Sequence, residues 1–197
     1  DLDQAARNLE EWWRRVESKT LAAGKTVPAP VRGAMALEIA KVHALRKDAE
    51  AELLWMRRHL DADPTDVAGA RRAAALGRNL GPGELAAELI EGEARLTVNR
   101  PEASTLLVEA GGLWEDAGKM QRAEAAYRNA YAAVPQDEAP LEALANLLLA
   151  EGRWEDAARV WRDAAEYSSG SLAIGRWRRA AVLASTRLSD AELAARC

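Results

Sequence analysis

The chain has 197 residues, 49% of them hydrophobic and 29% charged, which supplies a core and argues against disorder. Its 44 Ala and 25 Leu stand against 10 Val, 3 Ile and no Phe, a helix-forming composition that argues against a β-sandwich or a parallel-sheet fold. Net charge is −4, from 27 basic and 31 acidic residues, so no basic excess marks a nucleic-acid partner.

In chain order, residues 2–20 carry Leu2, Leu9, Trp12, Trp13 and Val16 near one side, which predicts a helix. AAGKTVPAP (22–30) reads as a loop, because its Gly and two Pro break helices. Helical periodicity then runs from Val31 to Leu60, too long for one ordinary helix, and a turn is expected near Arg46–Asp48. DADP (61–64) ends that run, since the residue before a proline avoids the helical region. Thr65 or Asp66 caps the next helix, to about Leu80. GPG (81–83) is a break, a further helix spans Glu84 to about Val98, and NRP (99–101) closes it. From there helices of about 12 to 16 residues alternate with short Gly-, Pro- or Asp-bearing turns, the pattern of antiparallel helix hairpins.

No apolar run approaches the roughly 18 residues that span a bilayer, so no membrane insertion is expected. The charged N-terminus is unlike a secretory signal. A chain that opens on Asp1 is expected to be a processed product or a piece of a longer protein, and the sequence assigns no compartment. Arg outnumbers Lys 22 to 5, a bias that with this much Ala points to a bacterial source. Cys197 is the single cysteine, so neither an intrachain disulfide nor a cysteine-based zinc site is available.

The strongest signal is internal. GKMQRAEAAYRNA begins at Gly118 and GRWEDAARVWRDA at Gly152, an offset of 34. Ala123 then pairs with Ala157, Tyr127 with Trp161, Ala130 with Ala164, and Gly111 with Ala145. Pro135 pairs with Pro101, and TRLSDA (186–191) begins a third copy. Small residues let helix backbones approach, the aromatics fill the gap to the next hairpin, and Gly118 and Gly152 allow the tight turn. One hairpin cannot bury its apolar face alone, whereas stacked copies can.

This arrangement resembles the tetratricopeptide repeat (TPR) family, best over 104–137 and 138–171, loosely over 70–103 and about 32–66. The resemblance implies an all-α fold, an α-α superhelix (solenoid) of antiparallel helix hairpins. On that reading residues 1–31 are expected to form a leading or capping helix and loop. Residues 32–197 are then expected to make about four and a half hairpins in one continuous solenoid, with the last unit (172–197) truncated. It also implies a concave groove lined by the first helix of each unit. The groove positions are then Arg71, Ala74, Arg78 and Gly81, Thr105, Val108, Gly112 and Glu115, Ala139, Glu142, Asn146 and Leu149, and Ala173, Arg176, Ala180 and Leu183. The family's carboxylate clamp does not transfer: Asn146 is compatible with it, but Val108, Gly112 and Ala173 are not.

Other chemistry is thin. GKT (24–26) lacks the upstream Gly, the strand and the following helix of a phosphate loop. His43 and His59 lie 16 apart, without metal-pair spacing, and read as structural. Asp61, Asp63 and Asp66 lack the glycine and final glutamate of a calcium loop and read as a helix stop and cap. The expected function is therefore a non-enzymatic interaction scaffold with no cofactor and no metal. It would hold a protein or peptide partner through Arg71, Arg78, Glu115, Glu142, Asn146, Arg176 and Trp177. The alternative is an accessory or assembly segment of a larger enzyme or of a bacterial secretion or envelope machine. Such a segment would act by spacing and by self-association through the unfinished C-terminal repeat.

Overall fold

The structure, a computed structural model, describes residues 1–81 and 83–185. The described residues form ten helices and no strand, and none of these helices is long and apolar enough to cross a membrane. They fall into two compact units, Asp1–Leu96 and Thr97–Cys197.

The first unit holds α1 (Leu2–Ala22), α2 (Ala29–Leu45), α3 (Ala49–Ala62), α4 (Val67–Leu80) and α5 (Glu84–Leu96). The expected turn near 46–48 is present, and the Asp48 side chain caps α3 through the Ala51 amide at 3.1 Å. Asp66, not Thr65, caps α4 by accepting from the Ala68 amide at 3.0 Å, while the Thr65 hydroxyl turns back to Asp63 at 2.7 Å. The acidic loop is thus consumed in local turns, as a stop followed by a cap. The core gathers Trp13 from α1, Ile39 and Ala40 from α2, Leu53, Trp55 and Met56 from α3, and Ala73 and Leu76 from α4. Helix α1 is tied on by a polar knot as well. Arg46 donates to His43 Nδ1 at 3.0 Å, so His43 Nε2 donates to Glu10 at 3.0 Å, and Trp55 Nε1 reaches the same carboxylate oxygen at 3.3 Å.

Both histidines are buried. His59 spans three helices, with Nδ1 2.9 Å from the Gly33 carbonyl and Nε2 2.8 Å from Asp66 Oδ2. The hydrogen bond from His59, then that from the Gly69 amide, holds the Asp66 carboxyl below the usual carboxylate range. A carboxylate held below its unfolded value stabilises the fold above about pH 4, and that stabilisation is lost as pH falls through the lowered value. Asp66→Asn is accordingly expected to be less stable than wild type at pH 7, with the gap closing as pH falls below about 4. Urea unfolding at pH 7, 5 and 3 measures this, and a gap that stays constant contradicts it.

The second unit holds α6 (Arg100–Asp116), α7 (Met120–Ala133), α8 (Ala139–Ala150), α9 (Trp154–Glu166) and α10 (Gly170–Leu183). Gly118 and Gly152 turn the chain at φ +72° and +74°, a conformation open to glycine at no cost in Cβ contact. The 34-residue register is visible in the packing: Ala123 and Ala157 are both fully buried, and Tyr127 and Trp161 are exposed by only 3% and 4%. The structure is therefore all-α and built of TPR-like helix hairpins.

The register fails at the α5–α6 junction. Asn99–Pro101 does not close a helix. Asn99 caps α6 by accepting from the Glu102 amide at 3.2 Å, and Pro101 sits in the first helical turn, where its missing N–H has no helical partner to lose. Pro135 lies in the loop between α7 and α8, so the two prolines are not equivalent. The third copy expected at 186–191, and Cys197, lie outside the described residues.

Candidate functional site

In the first unit, α4 presents Arg71 and Arg78 to the same acceptor. Glu93 of α5 is buried, and Arg71 Nε and Arg78 reach its two carboxylate oxygens at 3.3 and 3.4 Å. A buried carboxylate is tolerated only when paired, so these arginines are committed to holding α4 against α5. Ala74, expected in the groove, is fully buried between them.

In the second unit, Glu115 accepts a hydrogen bond from the Tyr127 hydroxyl. Burial first, and that bond second, push the Tyr127 phenol well above its usual value, so it remains a donor. Glu115 thus serves the α6–α7 interface.

Arg176 corrects the sequence expectation most sharply. It does not face a groove: it is 1% exposed. Its guanidinium donates to the Pro135 carbonyl at 2.7 Å, to Ser168 Oγ at 2.6 Å and to the Ala164 carbonyl at 3.2 Å. It also stands 5.7 Å from the centroid of the Tyr131 ring. No carboxylate neutralises it among the described residues. The negative ends of α7 and α9 do so instead, because Ala164 lies in the last turn of α9 and Pro135 follows the end of α7.

Burying Arg176 fixes the roll of α10. Arg176, Ala180 and Ala184, at four-residue spacing, face inward at 1%, 1% and 0% exposure. In α8 the residues 34 earlier, Glu142 and Asn146, are exposed. The inward positions of α10 thus recur 35 residues after those of α8, Arg176 after Leu141 and Ala180 after Ala145, a one-residue slip that puts each α10 side chain about 100° from the place a 34-residue register gives it, and a different stripe opens outward.

That stripe lines a groove of about 620 Å³ between α8 and α10. Helix α8 contributes Glu142, Asn146 and Leu149, its N-cap residue is Glu138, α10 contributes Gly175, Arg178, Arg179, Val182 and Leu183, and Trp161 of α9 also lines it. Arg179 bridges the groove, with one nitrogen 2.8 Å from Glu138 and another 2.8 Å from Glu142. Its guanidinium lies 4.5 Å over the Trp161 ring, a cation–π contact. Asn146 and Arg178 are exposed and form no hydrogen bond or ion pair among the described residues. Val182 is 51% exposed. Trp177, expected as an anchor, is half-buried and is not part of this lining.

Of the seven expected site residues the structure brings together Glu142 and Asn146. It places Arg71 and Arg78 on Glu93, Glu115 on Tyr127, and Arg176 in the interior. Arg178 and Arg179 were missed as lining residues. The signal was the stripe Gly175, Arg178, Arg179 and Val182, which a fixed 34-residue register assigns to the wrong side. The described residues contain no group of three or more metal-ligating side chains placed to share an ion.

No family model matches the chain, and no curated protein matches it. Solved structures with a similar arrangement include MamA, at 12% identity over 92% of each chain with a TM-score of 0.44. A second is YrrB, "a TPR protein with an unusual peptide-binding site", at 15% identity over 81% of this chain and 79% of that one, with a TM-score of 0.45. A third is pilF of Pseudomonas aeruginosa, at 16% identity over 99% and 87%, with a TM-score of 0.43. At these identities the fold assignment rests on the hairpins themselves.

Proposed function

We propose that the chain is a protein-interaction scaffold, without catalysis, that holds a peptide or partner helix in the α8–α10 groove. The observation that carries this reading is the division of labour inside the groove. Arg179 satisfies Glu138 and Glu142, so the acidic side is closed and the groove keeps its shape without a ligand. The uncommitted polar groups are Asn146, able to donate and accept, and Arg178, able to donate only. Leu149, Val182 and Leu183 lie beside them as apolar surface. A segment with one apolar side chain seated on these residues, and a carboxylate or backbone carbonyl near Arg178, matches that set. A pre-shaped groove lowers the ordering cost of binding.

A peptide selected on the full chain from a random display library tests this. Arg178→Glu and Asn146→Ala are expected to weaken that peptide about tenfold or more, as central polar contacts do. Both side chains are exposed, so the unfolding midpoint should not move. Unchanged affinity in both variants removes the groove from the account.

The alternative, assembly through self-association, has one observation in its favour: Ile174 on α10 is 70% exposed. Sedimentation that shifts to a larger species with rising concentration in wild type, and not in Ile174→Asp, would favour that role.

A further inference from the structure

In the first unit, the partners of His59 are satisfied in only one protonation state. The residue is 5% exposed. Its Nδ1 lies 2.9 Å from the Gly33 carbonyl of α2, and its Nε2 lies 2.8 Å from Asp66 Oδ2 at the start of α4. Both partners can only accept. A carbonyl has no proton to give, and the Asp66 carboxyl, held below the usual range, is ionised. A neutral imidazole has a single N–H and would set a bare nitrogen against one of the two oxygens. A ring with a proton on each nitrogen makes both bonds. The other buried histidine has the opposite surroundings: Arg46 donates to His43 Nδ1, so that nitrogen must be bare.

The ring is closely walled. A Cβ on Gly33 would stand 3.5 Å from its Nδ1, and a Cβ on Gly69 would stand 3.3 Å from its Cδ2. Water therefore has little room to replace a lost bond. Few charges face the ring. From α2 it meets the Gly33 carbonyl, and Arg32 alongside is exposed. From α4 it meets Asp66, while Arg72 is paired with Glu52 at 2.6 Å. On α3 itself, Arg57 and Asp61 are exposed and Arg58 lies 4.3 Å over the Trp55 ring. After α3, Asp63 accepts from the Thr65 hydroxyl at 2.7 Å. Asp66 is the one carboxylate within ion-pair distance of the ring among the described residues.

The two acceptors are unequal. The bond to Asp66 ends on a carboxylate, the bond to Gly33 on a neutral carbonyl, and the charge-assisted bond is the stronger. When one proton leaves with rising pH, the remaining proton stays on Nε2. A bare Nδ1 then faces the Gly33 carbonyl, and the contact to α2 opens. A bond that exists only in the protonated ring stabilises at lower pH and is lost as pH rises. That is the reverse of the Asp66 contribution, which is lost as pH falls.

We propose that His59 is a pH-sensitive clip: doubly protonated it fastens α2 to the start of α4, and on losing one proton it releases α2 and keeps Asp66. The clip is independent of the α8–α10 groove, and either can fail without the other.

The test is an NMR titration of the ¹³C,¹⁵N-labelled full chain, upward from about pH 5, the lower edge of the histidine range, until the His59 ring is neutral. At pH 7 both ring nitrogens of His59 are expected to carry a proton. The Gly33 carbonyl carbon should move to lower frequency in the same transition as the ring, as its hydrogen bond is lost. The Ala68 amide, held by the other Asp66 oxygen at 3.0 Å, should move less. In His59→Gln, which has no titrating ring, the Gly33 transition should vanish. The wild-type titration decides by itself if that variant does not fold. A bare ring nitrogen on His59 at pH 7, a Gly33 carbonyl that does not follow the ring, or an Ala68 amide that moves while Gly33 stays would each overturn the proposal.

Discussion

Arg176→Met is expected to destabilise the chain by about 3 kcal/mol, the scale of removing one partner from a buried charged network. Methionine retains most of the volume, so the loss reports the hydrogen bonds and not a cavity. The Pro135 carbonyl and Ser168 Oγ lose their donor, while the Ala164 carbonyl keeps a second one from the Ser168 hydroxyl at 2.6 Å. Arg176 Nε is buried without a partner even in the wild type, so the site already carries a desolvation cost that three good bonds offset. Arg176→Lys keeps the charge but lacks the planar fork. It is expected to fall between wild type and the methionine variant. Denaturant unfolding followed by tryptophan fluorescence measures both. A loss below about 1 kcal/mol for Arg176→Met would mean that the guanidinium is solvated and the roll of α10 is set by something else.

The second large effect is expected at the α6–α7 interface, and its sign depends on background. Gly111 faces the Tyr127 ring. A Cβ there would stand 2.7 Å from Cδ1 and 2.8 Å from Cζ, and closer still to Cε1. The ring cannot swing away freely, because it is buried and its hydroxyl is bonded to Glu115. Gly111→Ala is therefore expected to cost about 2 kcal/mol, typical of overpacking, although alanine is the better helix former. Tyr127→Ala should cost about 3 to 4 kcal/mol through lost burial and a cavity. In that background the clash is gone. Gly111→Ala should then stabilise by about 0.5 to 1 kcal/mol, the difference in helix propensity. Additive effects in the double-mutant cycle, within about 0.5 kcal/mol, would show that the two positions do not touch.

These two sites mark how far the sequence could be read. The small positions Gly111, Ala123, Ala145 and Ala157 were legible because they repeat at a fixed spacing, but the aromatics were expected to fill the gap to the next hairpin, whereas Tyr127 packs on Gly111 within its own. Of the caps, Asp66 was legible beside Thr65 as a short polar residue before an apolar run, while Asp48 was read only as part of a turn. Asn99 was read as an ending because Pro101 looks the same before a helix and after one. Arg176 was misread for a different reason. Its carbonyl acceptors belong to residues 12 and 41 positions away, and backbone carbonyls carry no identity in a sequence. Arg71 and Arg78 were misread because Glu93 lies across a hairpin from them, and a buried acid is indistinguishable from a surface one until the fold places it. The lining was legible on α8, where the repeat register holds, and not on α10, where the inward positions slip by one residue.

The exchange rates of the arginine Nε–H protons in the free chain test that slip most directly. With α10 rolled as described, the Arg176 Nε–H should exchange orders of magnitude more slowly than that of Arg178, with Arg179 between them. Rapid exchange at Arg176 together with protection at Arg178 would place the opposite stripe in the interior, and the groove would have to be rebuilt around Arg176.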